Sequence, residues 1–113
     1  MRTRNLLAEL PDGVREEQFE TLADNPHARL LRIISPPHFR SEPFLQQEDE
    51  WVMVLQGEGI LEVCGERIRL GRGDSLLIPA GTPHRVLDTS AEPHCIWLAL
   101  HLHAGDPTPG AEG

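Results

Sequence analysis

From Ala28 onward the chain is a series of short apolar runs cut apart by Gly, Pro and Asp, and this rhythm constrains the fold more than any other feature. The runs are ARLLRII, EWVMVLQ, GILEVC, ERIRL, SLLIP, HRVLD and HCIWLALHL. Six or more short strands at this spacing predict an all-β sandwich or barrel. The chain has no helices long enough for parallel crossovers between strands, which excludes a βαβ architecture. At 113 residues it holds one domain with a real core.

Three segments follow from the pattern. Residues 1–27 form an N-terminal segment, in which VREEQFETLADN (14–25) predicts the one helix. Phe19, Leu22 and Ala23 stand at i, i+3 and i+4, acids fill the first turn, and Asn25-Pro26 ends it. Residues 28–103 form the barrel. Residues 104–113, with no large apolar side chain, predict a disordered tail. Within the barrel, ILEVCGERIRL predicts a hairpin turning at Cys64-Gly65. WVMVL and CIWLAL are apolar at both parities, so both faces of those strands need covering, and a homodimer is one way to cover them.

Charge narrows the partners. Eighteen acidic against ten basic side chains give a net charge of -8, with no basic cluster to neutralise phosphates, so neither nucleic acid nor anionic membrane is expected. No apolar run is long enough to span a bilayer. The N-terminus has no signal-peptide pattern, so a cytoplasmic protein is the expectation. Cys64 and Cys95 form no C-x-x-C pair and read as incidental or buried thiols.

The segment GDSLLIPAGTPHRV concentrates the backbone constraints. Gly73, Pro79, Gly81 and His84 follow G-x5-P-x-G-x2-H, with Asp88 four positions on. Pro79 ends a strand, Gly81 permits a tight turn and Pro83 fixes the entry to the next strand, so a stiff backbone aims His84.

This spacing resembles the second motif of the cupin superfamily, G-x5-P-x-G-x2-H-x3-N, with Asp88 in the place of the usual Asn. The family's first motif, G-x5-H-x-H-x3-4-E-x6-G, is matched upstream in its second half by Glu50 and Gly57 in EWVMVLQG. The two motifs span residues 44–88. The resemblance implies a double-stranded β-helix, a jelly-roll barrel. It also implies a divalent metal ion (Fe, Mn, Ni or Zn) held by the histidine pair, the Glu and the second-motif His.

The histidine pair is absent. A three-residue spacer before Glu50 puts Phe44 and Gln46 at those positions, and a four-residue spacer puts Pro43 and Leu45 there. The metal set that remains is Gln46, Glu50 and His84. His101 joins it if the Trp97/Ala99/His101 parity of the last strand points inward, and His38 is a further candidate from the preceding segment. The opposite parity, Ile96/Leu98/Leu100/Leu102, is the more obvious core face. A set short of imidazole competes poorly for transition metals.

Without a metal, Glu50 and His84 in an apolar barrel suit general base and acid work, as in an isomerase or lyase. Set among Val52, Val54, Ile78 and Val86, they equally suit a small-molecule site without turnover. Three readings therefore stand: a metal-dependent enzyme, a metal-free binding module and a metal-independent acid/base enzyme. Trp51 reads as packing, and His27, His94 and His103 are given no role.

Overall fold

The computed structural model describes residues 1–103; the expectation for 104–113 lies outside them. Every regular element is a strand: β1 Gln18–Asp24, β2 Ala28–Ile34, β3 Asp49–Gln56, β4 Glu58–Val63, β5 Glu66–Gly71, β6 Ser75–Ile78, β7 His84–Thr89 and β8 Ile96–Leu102. Five form one antiparallel sheet in the order β1-β2-β8-β3-β6, and three form a second in the order β5-β4-β7. The sheets face each other over a core of Val52, Val54, Leu61, Leu70, Ile78, Cys95 and Trp97. No helix among the described residues is long and apolar enough to cross a membrane.

The N-terminal helix is not formed. The segment that predicts it becomes β1, paired with β2 from Gln18↔Ile34 to Asp24↔Arg29. A lone helix of this length is marginal in water, whereas the open edge of β2 offers a complete hydrogen-bond ladder. The apolar spacing misleads because β1 carries a register shift between Thr21 and Ala23. Up to that bulge Phe19 and Thr21 alternate toward the interior; beyond it the parity flips, and a broken period of two imitates a helical one. The Asn25 side chain then accepts from the N–H groups of His27 and Ala28 and turns the chain into β2.

The Cys64-Gly65 hairpin is present, with both residues at positive φ. Both cysteines are free. Burial pushes the Cys95 thiol up to about 12, which makes it a small apolar residue in practice.

The central strand β8 lies between β2 and β3, and its inward parity is Trp97, Ala99 and His101, all buried. The expected core face, Ile96/Leu98/Leu100/Leu102, points the other way. Ile96 is buried there in a second cluster with Val14 and Ile34, while Leu102 is exposed. Counting apolar side chains misjudges the parity because the outer face of β8 is apolar as well. Gly59 of β4 completes the inner packing: a Cβ there would collide with the Trp97 indole.

Candidate functional site

Between the sheets lies a cavity of about 430 Å³, lined mainly by apolar side chains with ionisable and amide groups set among them. Strand register explains which side chains reach it. Arg29 stands opposite His101, His101 opposite Glu50, and Glu50 opposite Ile78. Residues directly opposite across antiparallel strands share a face, so this row points into the cavity as one. The next rows, Leu31/Ala99/Val52 and Ile33/Trp97/Val54, form the apolar floor. The facing sheet contributes Leu61, His84 and Val86.

The turn before β7 aims His84 as its prolines and glycine predict. The Gly81 N–H donates to the Gln46 carbonyl, and the backbones of Phe44 and His84 exchange two hydrogen bonds of 2.7 and 3.1 Å. Phe44, standing at a family histidine position, therefore lies beside His84, ring centroids 5.8 Å apart. It supplies a wall where the family pattern has a ligand.

Three buried groups converge: Glu50, His84 and His101. His84 Nδ1 is 2.9 Å from the Thr82 carbonyl oxygen. A carbonyl only accepts, so Nδ1 carries a proton and Nε2 is the working nitrogen. That Nε2 is 3.3 Å from Glu50 Oε1. The hydrogen bond to Glu50 raises the His84 pKa above its ordinary value against the opposing effect of burial, with smaller help from the Thr82 carbonyl and the Glu50 charge. Gln46 Nε2 donates to the same carboxylate at 3.0 Å. His101 Nε2 lies 3.6 Å from Glu50 Oε2, on the other side.

The row of charges continues outward. His101 Nδ1 is 3.6 Å from Glu48 Oε1, too far for a hydrogen bond, and has no partner although buried. The other Glu48 oxygen contacts His103 Nδ1, and His103 Nε2 is 3.4 Å from Asp24. Imidazoles and carboxylates thus alternate from His84 to the surface. Glu17, also at the cavity, is pushed up by burial; a hydrogen bond from Ser35 opposes this and the Glu50 charge adds to it. Ser35 Oγ in turn accepts from the Trp97 indole N–H at 2.9 Å.

Gln46, Glu50, His84 and His101 are therefore neighbours. His38 is not among them: it sits at positive φ with its ring exposed, 3.2 Å from Asp88, so the second-motif Asp88 serves a surface pair outside the cavity. Trp51 points outward and is half exposed. Sequence reasoning missed Glu17, Arg29, Glu48 and His103. The i, i+2 spacings of Glu48/Glu50 and His101/His103 were the available signal, since each outer residue continues the parity of the adjoining strand end.

The donor set fits a metal ion poorly. Glu50 turns one oxygen to each imidazole, at 3.3 and 3.6 Å, and so is engaged with both rings. Gln46 presents its amide N–H, a donor, to that carboxylate. Among the described residues no group of three His, Cys, Asp or Glu is arranged to hold a metal ion.

No curated protein matches the chain. Among solved structures it is similar to a Ralstonia eutropha JMP134 protein named "putative mannose-6-phosphate isomerase", at 32% identity and TM-score 0.83, over 92% of this chain and 100% of that one. It is similar in fold to KdgF from a Halomonas species, at 24% identity and TM-score 0.72, over 85% of this chain and 86% of that one. A Desulfovibrio desulfuricans RmlC-like cupin protein matches at 20% identity and TM-score 0.76, over 90% and 96%. The cupin domain family matches residues 31–105, from inside β2 past the end of β8. That stretch holds both sheets except β1 and the start of β2, and every cavity group except those of β1, Glu17 and Arg29, and on this match the chain belongs to the cupin domain family.

Proposed function

We propose that the cavity binds a small polar organic molecule bearing a carbonyl, and that Glu50 and His84 move a proton at the carbon beside it. The observation that carries this reading is the contact between His84 Nε2 and Glu50 Oε1 in a mainly apolar cavity. Glu50 removes the proton as general base, and His84, protonated on Nε2, donates to the developing enolate oxygen. Glu50 then returns its proton to the former carbonyl carbon while the neighbouring hydroxyl gives its proton to His84 Nε2 and becomes the new carbonyl, which completes an isomerisation and restores both groups. Gln46 holds the carboxylate in place, and the Thr82 carbonyl fixes the His84 tautomer. Each such acid or base contributes about 10²–10⁴-fold when well placed. The similar Ralstonia eutropha protein is named for a sugar phosphate isomerisation, and moving a sugar carbonyl by one carbon can pass through the same proton transfer.

A divalent ion is left out of this mechanism, because the donor set accommodates it poorly. The test works across a panel of candidate substrates. Wild type, Glu50→Gln and His84→Asn are incubated in deuterium oxide with small aldoses, ketoses and their phosphate esters, and proton NMR follows loss of the signal beside the carbonyl. Catalysed exchange by wild type, lost in both variants, is the expected result. Carbonyl compounds that bind in the cavity yet exchange at the uncatalysed rate would reduce the protein to a binding module.

A further inference from the structure

We propose that Arg29 anchors an oxyanion on the cavity's occupant, so that the ligand is a short polar chain ending in a carboxylate or a phosphate ester. This rests on the reading of the cavity as a small-molecule site and adds the ligand's chemical class.

Arg29 differs from the four arginines that have an ion pair. Arg4, Arg32, Arg69 and Arg85 each face a carboxylate. Arg29 has no ion pair and no side-chain hydrogen bond among the described residues, and its Nε is buried without a partner. Arg32 also has an unpartnered Nε, but its two outer nitrogens reach the Leu6 carbonyl and Glu20. Arg29 is half-buried, its guanidinium does not lose its charge in a protein, and the N–H it shelters from water is unfavourable without a partner.

The carboxylates that line the cavity with Arg29 or stand opposite it on β1 are engaged elsewhere. Asp24, opposite it on β1, faces His103. Glu17 takes the Ser35 hydroxyl. Glu50 takes Gln46 and faces His84 and His101. An oxyanion from outside is the partner still missing, and the guanidinium fork matches either a carboxylate or a phosphate in two parallel hydrogen bonds.

Register also sets the ligand's length. Arg29 and Glu50 both pair with His101, from opposite sides. Strands lie about 4.8 Å apart, so the two backbones stand roughly 10 Å apart. A ligand that touches both groups is therefore a short chain of small-molecule size, and a cavity of about 430 Å³ accommodates it.

Three probes with one carbon skeleton and different ends test this: sorbitol (neutral), gluconate (carboxylate) and sorbitol phosphate. The full chain is titrated with each, following backbone amide NMR shifts. The expected result is saturable shifts on β2 and β8 with at least one anionic probe, about tenfold or more tighter than with sorbitol. Arg29→Gln should erase that preference, and Arg29→Lys should restore part of it. Arg67→Gln, on exposed β5, should change nothing. The wild-type comparison decides the matter even if the Arg29 variants fold poorly. Equal binding of all three probes, or a preference surviving Arg29→Gln, overturns the anion assignment and leaves the cavity reading standing. Shifts absent from the cavity for every probe overturn both.

Discussion

His84 Nε2 meets Glu50 Oε1 at 3.3 Å while the opposite ring nitrogen is held by the Thr82 carbonyl, so the imidazole has one free nitrogen and it faces a carboxylate. Glu50 holds the His84 pKa above its ordinary value of 6.5. A raised folded-state value means that the pair's stabilisation is fully present below about 6.5 and fades as pH rises through the folded value. In a proton NMR titration the ring of His84 should titrate above 6.5, and in Glu50→Gln it should titrate lower, because the uncharged amide no longer favours the imidazolium. Thermal melts of wild type and Glu50→Gln should differ more at pH 5.5 than at pH 9. A His84 that titrates identically in both proteins would show that Glu50 does not set it.

Phe44 and Gln46 replace the two imidazoles of the family's metal pattern, and this makes a reversible prediction. Wild-type protein purified without chelators should carry well under one divalent ion per chain by elemental analysis, and its melting temperature should not respond to EDTA. The double variant Phe44→His, Gln46→His restores two imidazoles beside His84 and Glu50 and should raise metal content toward one per chain. Stoichiometric metal in wild type that disappears in His84→Ala would refute the poor fit.

Local backbone chemistry made part of this site legible. Gly73, Pro79, Gly81 and Pro83 act on residues next to them, so the aim of His84 follows from sequence. The position of Glu50 follows only through the resemblance of its spacing from Gly57 to the cupin first motif. Arg29, Glu48 and His103 depend instead on which strand lies beside which, and no local signal carries that register. The parity of β8 was equally hidden, because a central strand with apolar residues on both faces does not declare its inside. β1 was misread for a different reason, the bulge near Leu22, which hides a strand's period of two. The two-sheet jelly roll was legible through the spacing of the two motifs; the strand register that brings Arg29, Glu48 and His103 toward the site was not.

Gly59 is sterically coupled to the cavity wall, since a methyl group there would strike the Trp97 ring. Trp97 cannot retreat easily: it is buried in the core, and its indole N–H is tied to the buried Ser35 hydroxyl. Gly59→Ala should therefore destabilise the fold by about 1–3 kcal/mol, the range for overpacking a filled core. Urea unfolding followed by tryptophan fluorescence would measure it. A change below about 0.5 kcal/mol would mean that the ring shifts freely. Gly65→Ala, at an open hairpin turn, provides a contrast, since its effect comes only from positive φ.

The outer face of the five-stranded sheet carries a cross-strand apolar row, Leu30, Leu100, Trp51 and Leu77, fixed by register. Trp51 and Leu77 are half exposed, and Met53 and Leu102 extend the patch. The N-terminal segment covers one end of this face, where Val14 packs on Ile34 and Ile96, but Trp51 and Leu77 stay half exposed, and an apolar patch on a chain this acidic favours a like surface over water. We propose that two copies meet there about a two-fold axis, each presenting the same row to the other. Sedimentation equilibrium should then give twice the chain mass of 12.6 kDa. Trp51→Glu, which sets like charges against each other across the axis, should give the monomer with its strand content intact by circular dichroism. A wild-type monomer at high micromolar concentration, or a Trp51→Glu dimer, would place any self-association elsewhere.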